Sequence, residues 1–245
     1  ALAIRMAEEQ RLLLELHQHE KLAGMGRVVA SIAHEIRNPL GIISSSAELL
    51  IKRAAKTDPI TSRILQAIYD EARRLSRTVS DFLDYARPKQ LKSEPADIGA
   101  IISQALTFLG PDLTDRDIGV VRSGELDAPL WVMGDKDLLY RAFYNVMSNA
   151  VQAMGNAGTL TIHLSRLREP ESMVHILFHD TGPGFPAENI SQLLDPFFTT
   201  KEGGTGLGLP IVNSIINSHR GTLALANAED GGAQVSVILP EATSA

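Results

Sequence analysis

The run "SIAHEIRNPLGII", residues 31–43, decides how the first part of the chain is read. It sets His34 beside Glu35 and places Pro39 inside a stretch whose apolar residues keep helical spacing. Outward from it, apolar residues recur at Met25, Val29, Ile32, Ile36, Leu40, Ile43, Ala47 and Leu50, in steps of three and four. That is one face of a long helix. If Ile32 and Ile36 face inward, His34 lies about 200° around the wheel and points outward, with Glu35 beside it. An exposed neutral imidazole is a nucleophile, and an adjacent carboxylate can take its ring proton. Pro39 has no N–H for the Glu35 carbonyl and crowds it, so a bend is expected there. Taken alone, the pair reads first as a solvated surface with an incidental kink.

Further along, "AAKTDP" interrupts the pattern, and Pro59 is well placed to open a second helix. Its stripe runs Ile64, Ile68, Ala72, Leu75, Val79, Phe82 and Ala86, and stops at "RPK". Two helices joined by a short turn make an antiparallel hairpin. A lone hairpin leaves much of each stripe wet, so a second copy is expected to cover it, giving a four-helix bundle across a homodimer. The upstream "QRLLLELHQHEKLAGM" reads as the end of an incoming coiled coil.

After Pro88 the texture changes to glycines, prolines and β-like runs: "GVVRSG", "LWVM", "TLTIHLSRL", "MVHILFHD", "TLALANA" and "AQVSVILP". Helical candidates lie between them near residues 97–110, 135–154 and 206–219. Such alternation predicts a layered α/β sandwich. The expected division is therefore 1–20 as an incoming signalling helix, 21–88 as the hairpin, and 89–245 as an α/β domain.

The whole-chain balance narrows the class. A length of 245 residues allows one large domain or two small ones. A formal charge of −6 with no basic cluster argues against a nucleic-acid or anionic-membrane partner. With no cysteine, disulfides, thiolate zinc sites and cysteine nucleophiles are excluded, which fits a reducing cytoplasm. No apolar run approaches the ~20 residues of a membrane span. The charged, helix-like start suggests a piece of a longer protein, so a membrane connection would come only through segments upstream.

Four downstream constellations can carry chemistry. In "NVMSNAVQAM", residues 145–154, Asn145 and Asn149 stand four apart on a helix, so two amide oxygens can reach one hard cation such as Mg²⁺. "HDTGPGF", residues 179–185, follows an apolar strand and holds Asp180 before Gly182 and Gly184; a carboxylate there can accept from an exocyclic amine such as that of adenine. "EGGTGLGLPIVNSII" sets Gly203, Gly204, Gly206 and Gly208 before a helix with Pro210 in its first turn. Free N–H groups at such a helix start cradle phosphates, although the run matches neither the P-loop nor the dinucleotide fingerprint. Between the glycine runs, "LLDPFFTTK" reads as a mobile lid whose Lys201 offers a cation to a terminal phosphate. Singly, each reads as well as a turn, a cap or a surface loop.

Their order resembles the signature of sensor histidine kinases of two-component systems, over residues from about 20 to 240. The "AHEIRNPL" and "NAVQAM" forms are most similar to the nitrogen-regulation-type and PAS-linked subgroup. The resemblance implies a dimerisation and phosphotransfer hairpin followed by an ATP-binding domain of the kind shared with gyrase, Hsp90 and MutL. It implies that His34 accepts the γ-phosphoryl group of ATP with Glu35 as general base, and passes it to an aspartate in the receiver domain of a response regulator. Asn38, one turn after His34, would orient the water that dephosphorylates that regulator. Asn149 with Asn145 would hold Mg²⁺, Asp180 with Gly182 and Gly184 would receive adenine, and Gly204, Gly206 and Gly208 would line the phosphates, with residues 186–203 as lid. One departure stands out: many members carry a lysine where this chain has Gln152, and Lys201 is expected to supply part of that charge. The competing readings are an ATPase or ATP-driven clamp of the same nucleotide superfamily, and a catalytically silent dimeric adaptor that docks a regulator.

Overall fold

The structure is a computed structural model that describes residues 36, 38–52, 59–86, 91–125, 129–168, 171–201 and 204–242. The chain divides into two compact units between Lys89 and Gln90.

In the first unit, residues 38–52 form helix α1 and Pro59–Ala86 form α2. Proline opens α2 without penalty, because the first N–H of a helix has no intrahelical acceptor. The Glu48 carboxylate is held below the usual range first by a 2.8 Å bond from Lys52 and also by Arg73 of α2. The same bond holds the Lys52 ammonium above its usual value. Leu40, Ala47 and Ala72 are buried, whereas Ile43, Leu50, Ile64, Ile68 and Leu75 are between 41% and 57% exposed. Burying a side chain of that size fully is worth about 1.5–3 kcal/mol, so the hairpin leaves much apolar stabilisation unrealised. Pro39 lies within α1, while His34, Glu35 and the incoming segment 1–20 lie outside the described residues.

The second unit is built on a five-stranded sheet of order β2-β4-β5-β7-β6, made of β2 (Ile118–Gly124), β4 (Gly158–Leu167), β5 (Met173–Asp180), β6 (Thr222–Asn227) and β7 (Ala233–Pro240). β2 and β4 are parallel and the remaining pairs antiparallel. A small ladder joins β1 (Glu94–Asp97) to β3 (Trp131–Gly134). Along β4, β5 and β7, alternate residues are buried: Leu160, Ile162 and Leu164, then Val174, Ile176 and Phe178, then Val235, Val237 and Leu239. That alternation marks a sheet covered on one face. Its cover is helical: α3 (Ile98–Asp115), α4 (Lys136–Met154) and α5 (Gly208–Ser218). α4 lies at the centre and packs on α3, α5, β4 and β5. Its Phe143 ring meets Phe178 of β5 with centroids 5.8 Å apart. A helical hairpin followed by an α/β sandwich is the architecture the sequence pattern predicts.

Two elements differ from the sequence pattern. "EPAD" carries Pro95 and no apolar alternation, yet it is a strand because Ala96 pairs with Val132 and is fully buried. A two-stranded ladder tolerates proline where its missing N–H faces away from the partner. α3 runs through Pro111 to Asp115, beyond the expected end near residue 110. Pro111 removes one bond to a carbonyl four residues back, and burial of Leu113 holds the final turn. Among the described residues, no helix is long and apolar enough to cross a membrane.

Candidate functional site

The site depends on where α4 begins. Asp135 caps it, accepting the N–H groups of Asp137 and Leu138 at 3.1 Å and that of Lys92 at 3.3 Å. Burial opposes its ionisation, but these three donors hold the carboxyl below its usual range. His219 is itself buried; its Nε2 accepts the Asp135 N–H at 2.9 Å and its Nδ1 lies 2.7 Å from the Ile215 carbonyl. One ring nitrogen must accept and the other donate, which defines a neutral imidazole protonated at Nδ1. Gly134 permits this approach, since a Cβ there would meet the His219 ring at 2.5 Å.

From that start, α4 carries Asn145 and Asn149 one turn apart, both half-buried. Asn149 is a junction. A Cβ on Gly208, the first residue of α5, would touch its Nδ2 at 3.5 Å. The Lys201 ammonium reaches its Oδ1 at 3.5 Å and the Gln152 Oε1 at the same distance. The Lys201 side chain is exposed as a whole, but its tip is tucked between two amides. Desolvation there lowers its pKa below the usual lysine value, while the Asp180 carboxylate pulls the other way. The Lys201 ammonium thus lies beside Gln152.

Asp180 closes β5 and is buried. Its Oδ1 accepts the N–H groups of Gly182 at 2.9 Å and Ala233 at 3.4 Å. Glycine at 182 lets the loop sit against that carboxylate, because a Cβ would lie 2.7 Å from the oxygen and one of the two would have to shift. Gly206 has φ +65°, and a Cβ would lie 2.4 Å from the Phe197 carbonyl carbon. Phe197 donates its N–H to the Gly206 carbonyl at 3.0 Å, so "PFF" is seated on the glycine run. Gly204 donates to the Lys201 carbonyl at 3.1 Å. α5 then starts at Gly208 with no side chain capping it, which leaves its first N–H groups to an external acceptor.

Asn149, Lys201, Gly208 and Asp180 are thereby linked from four different stretches of sequence. Asn145 sits one turn before Asn149; Asn38 is exposed on α1, in the other unit. Gly203 falls outside the described residues, like His34 and Glu35. Sequence reading did not single out Asn227, Gly232 and Thr181. Thr181 Oγ1 accepts the Thr159 N–H at 2.9 Å, and Gly232 packs directly on the Asp180 carbonyl. The adjacent pair Gly231-Gly232 was the available signal for the last of these.

Two family models match. Residues 25–91 match the His Kinase A (phospho-acceptor) domain, and residues 134–243 match the histidine kinase-, DNA gyrase B- and HSP90-like ATPase. The class is thus a phospho-acceptor hairpin joined to an ATPase domain of that kind. The sensor histidine kinase ZraS of Escherichia coli O157:H7 is 34% identical over 235 residues, 96% of this chain and 50% of its own length. Full-length ShkA, solved in complex with AMPPNP, superposes with a TM-score of 0.74 at 24% identity, covering 89% of this chain and 46% of ShkA. The histidine kinase ThkA, solved in complex with the response regulator protein TrrA, gives 0.68 at 24% identity over 95% of this chain and 66% of that one. At that identity the two structures speak for the fold. The chain belongs to the sensor histidine kinases of two-component systems, and it spans about half the length of ZraS. The phospho-acceptor match leaves the clamp and adaptor readings without support.

Proposed function

We propose that this chain is an ATP-dependent protein histidine kinase core that phosphorylates His34 and passes the phosphoryl group to an aspartate of a response regulator. The observation that carries the reading is the junction at Asn149, where an amide oxygen, the Lys201 ammonium and the uncapped start of α5 meet near Asp180. Each of these suits one part of a nucleotide: the carboxylate an exocyclic amine, the cation and free N–H groups a polyphosphate.

In this reading, Asp180 orients the base, while Gly204, Gly206 and Gly208 let the backbone approach the phosphates. Asn149 and Asn145 would hold Mg²⁺. An amide oxygen that already accepts from an ammonium suits a hard cation. Among the described residues no cluster of three or more His, Cys, Asp or Glu could bind a metal, so the phosphates would have to complete its shell. Bound there, Mg²⁺ would neutralise charge on the triphosphate. His34 attacks the γ-phosphorus; a nitrogen–phosphorus bond forms as the bond to the ADP oxygen breaks, and Glu35 takes the imidazole proton. The same hairpin meets the receiver domain, where Asn38 orients a water that hydrolyses the aspartyl phosphate, releasing inorganic phosphate and the free carboxylate. The apolar stripes left open on α1 and α2 are covered by a second copy, making the functional unit a homodimer. A core that uses ATP and receiver domains works in the cytoplasm, and its domains run 1–20, 21–88 and 89–245, the last limit lying one residue before the division between the two compact units.

The test is acid-labile label from γ-³²P-ATP. It should appear in the unmodified chain and vanish in His34→Ala. Acid-stable label, or label that survives that substitution, would sink the assignment.

A further inference from the structure

The loop that leaves Asp180 is tied to the sheet by a side chain from a distant strand. Asn227 ends β6; its Oδ1 accepts the Phe185 N–H at 2.6 Å, and its Nδ2 donates to the Phe185 carbonyl at 2.7 Å. One carboxamide therefore satisfies both backbone polar groups of one residue, as a neighbouring strand would. β6 is the edge of the sheet, so Asn227 extends the ladder by a side chain. Gly184 makes the room: its φ is +76°, and a Cβ would stand 2.7 Å from Asn227 Oδ1. Serine and threonine are too short to span both groups, and aspartate lacks the donor.

We propose that Asn227 is a positioning residue for the nucleotide. It fixes Phe185 and Gly184, and through them Gly182, against which the Asp180 carboxylate is oriented. The inference rests on the reading of Asp180 as the receiver of the base. It assigns to the β6–β7 end of the sheet a part in nucleotide affinity without any contact to the reacting atoms.

The experiment uses the full chain and fluorescent ATP titration, with phosphohistidine formation measured in parallel. Asn227→Ala should weaken nucleotide binding and raise KM for ATP roughly three- to tenfold, as expected for two partly exposed hydrogen bonds. The rate at saturating ATP should stay unchanged, because the reacting groups are untouched. Asn227→Asp, which keeps only the acceptor for Phe185, should also weaken binding. Hydrogen exchange at the Phe185 amide should accelerate in Asn227→Ala. Gly184→Ala should cost less affinity in the Asn227→Ala background than alone, because its new methyl no longer meets Oδ1. Unchanged KM with a reduced saturating rate would overturn the proposal, as would additive effects with Gly184. If Asn227→Ala does not fold, unchanged affinity in Asn227→Asp overturns it. An unmodified chain that binds no nucleotide would remove the functional reading and this inference together, whereas normal binding with an indifferent Asn227 removes the inference alone.

Discussion

Gly231 and Gly232 offer an internal contrast for how Asp180 is placed. Both have left-handed backbones, at φ +98° and +87°. Either glycine exchanged for alanine meets the strain of a Cβ in that region, about 1–2 kcal/mol. Only one meets a neighbour. A Cβ on Gly232 would stand 1.7 Å from the Asp180 carbonyl oxygen, whereas nothing lies within 4 Å of one on Gly231. Real Cβ atoms essentially never come closer than 3.0 Å, so the Gly232 backbone must move away from the end of β5 by more than 1 Å. The obstacle is backbone and cannot rotate away. Because Ala233 donates its N–H to Asp180 Oδ1, the shift passes directly to the carboxylate. Gly231→Ala should therefore lose stability alone. Gly232→Ala should lose comparable or greater stability and, in addition, roughly tenfold or more in ATP affinity, equal to about 1.4 kcal/mol. Urea unfolding gives the first quantity and fluorescent-nucleotide titration the second. Equal affinities in the two variants would refute the argument that Gly232 is there for close approach.

Three further outcomes are expected. Lys201→Met should bind ATP roughly tenfold or more weakly, the scale of one charge-assisted hydrogen bond. Because desolvation lowers the Lys201 pKa, wild-type affinity should fall with rising pH earlier than an ordinary lysine would dictate, and the variant should lack that fall. Asp135→Ala should cost about 1 kcal/mol at pH 7, the worth of a helix cap. The folded-state pKa of Asp135 is depressed, so its contribution is present above the ordinary carboxylate value near ~3.9 and is lost as pH falls through the folded value. The gap in unfolding midpoint between variant and wild type should hold down to about pH 5 and close in stronger acid. Ile68→Asp, on the exposed stripe of α2, should yield a monomeric mass by light scattering, and a wild-type chain already monomeric at micromolar concentration would contradict the bundle.

Periodicity made much of this fold legible. The stripe from Ile64 to Phe82 predicts α2, and the alternation in "MVHILFHD" predicts β5 with Asp180 at its end, because both signals are local and repeat many times. β1 was invisible, since "EPAD" becomes a strand only when Val132 arrives beside Ala96. The same division holds in the candidate site. Asn149, Asp180 and the glycine run are recognisable by type and order. That Lys201 reaches Asn149 across 52 positions, or that Asn227 grips Phe185 across 42, is written in no spacing. Local periodicity and residue type specify which elements form and which groups are present for phosphoryl chemistry. Which of them meet is settled by packing, because a carboxamide or an ammonium can satisfy many partners and only the packed sheet and helices choose one.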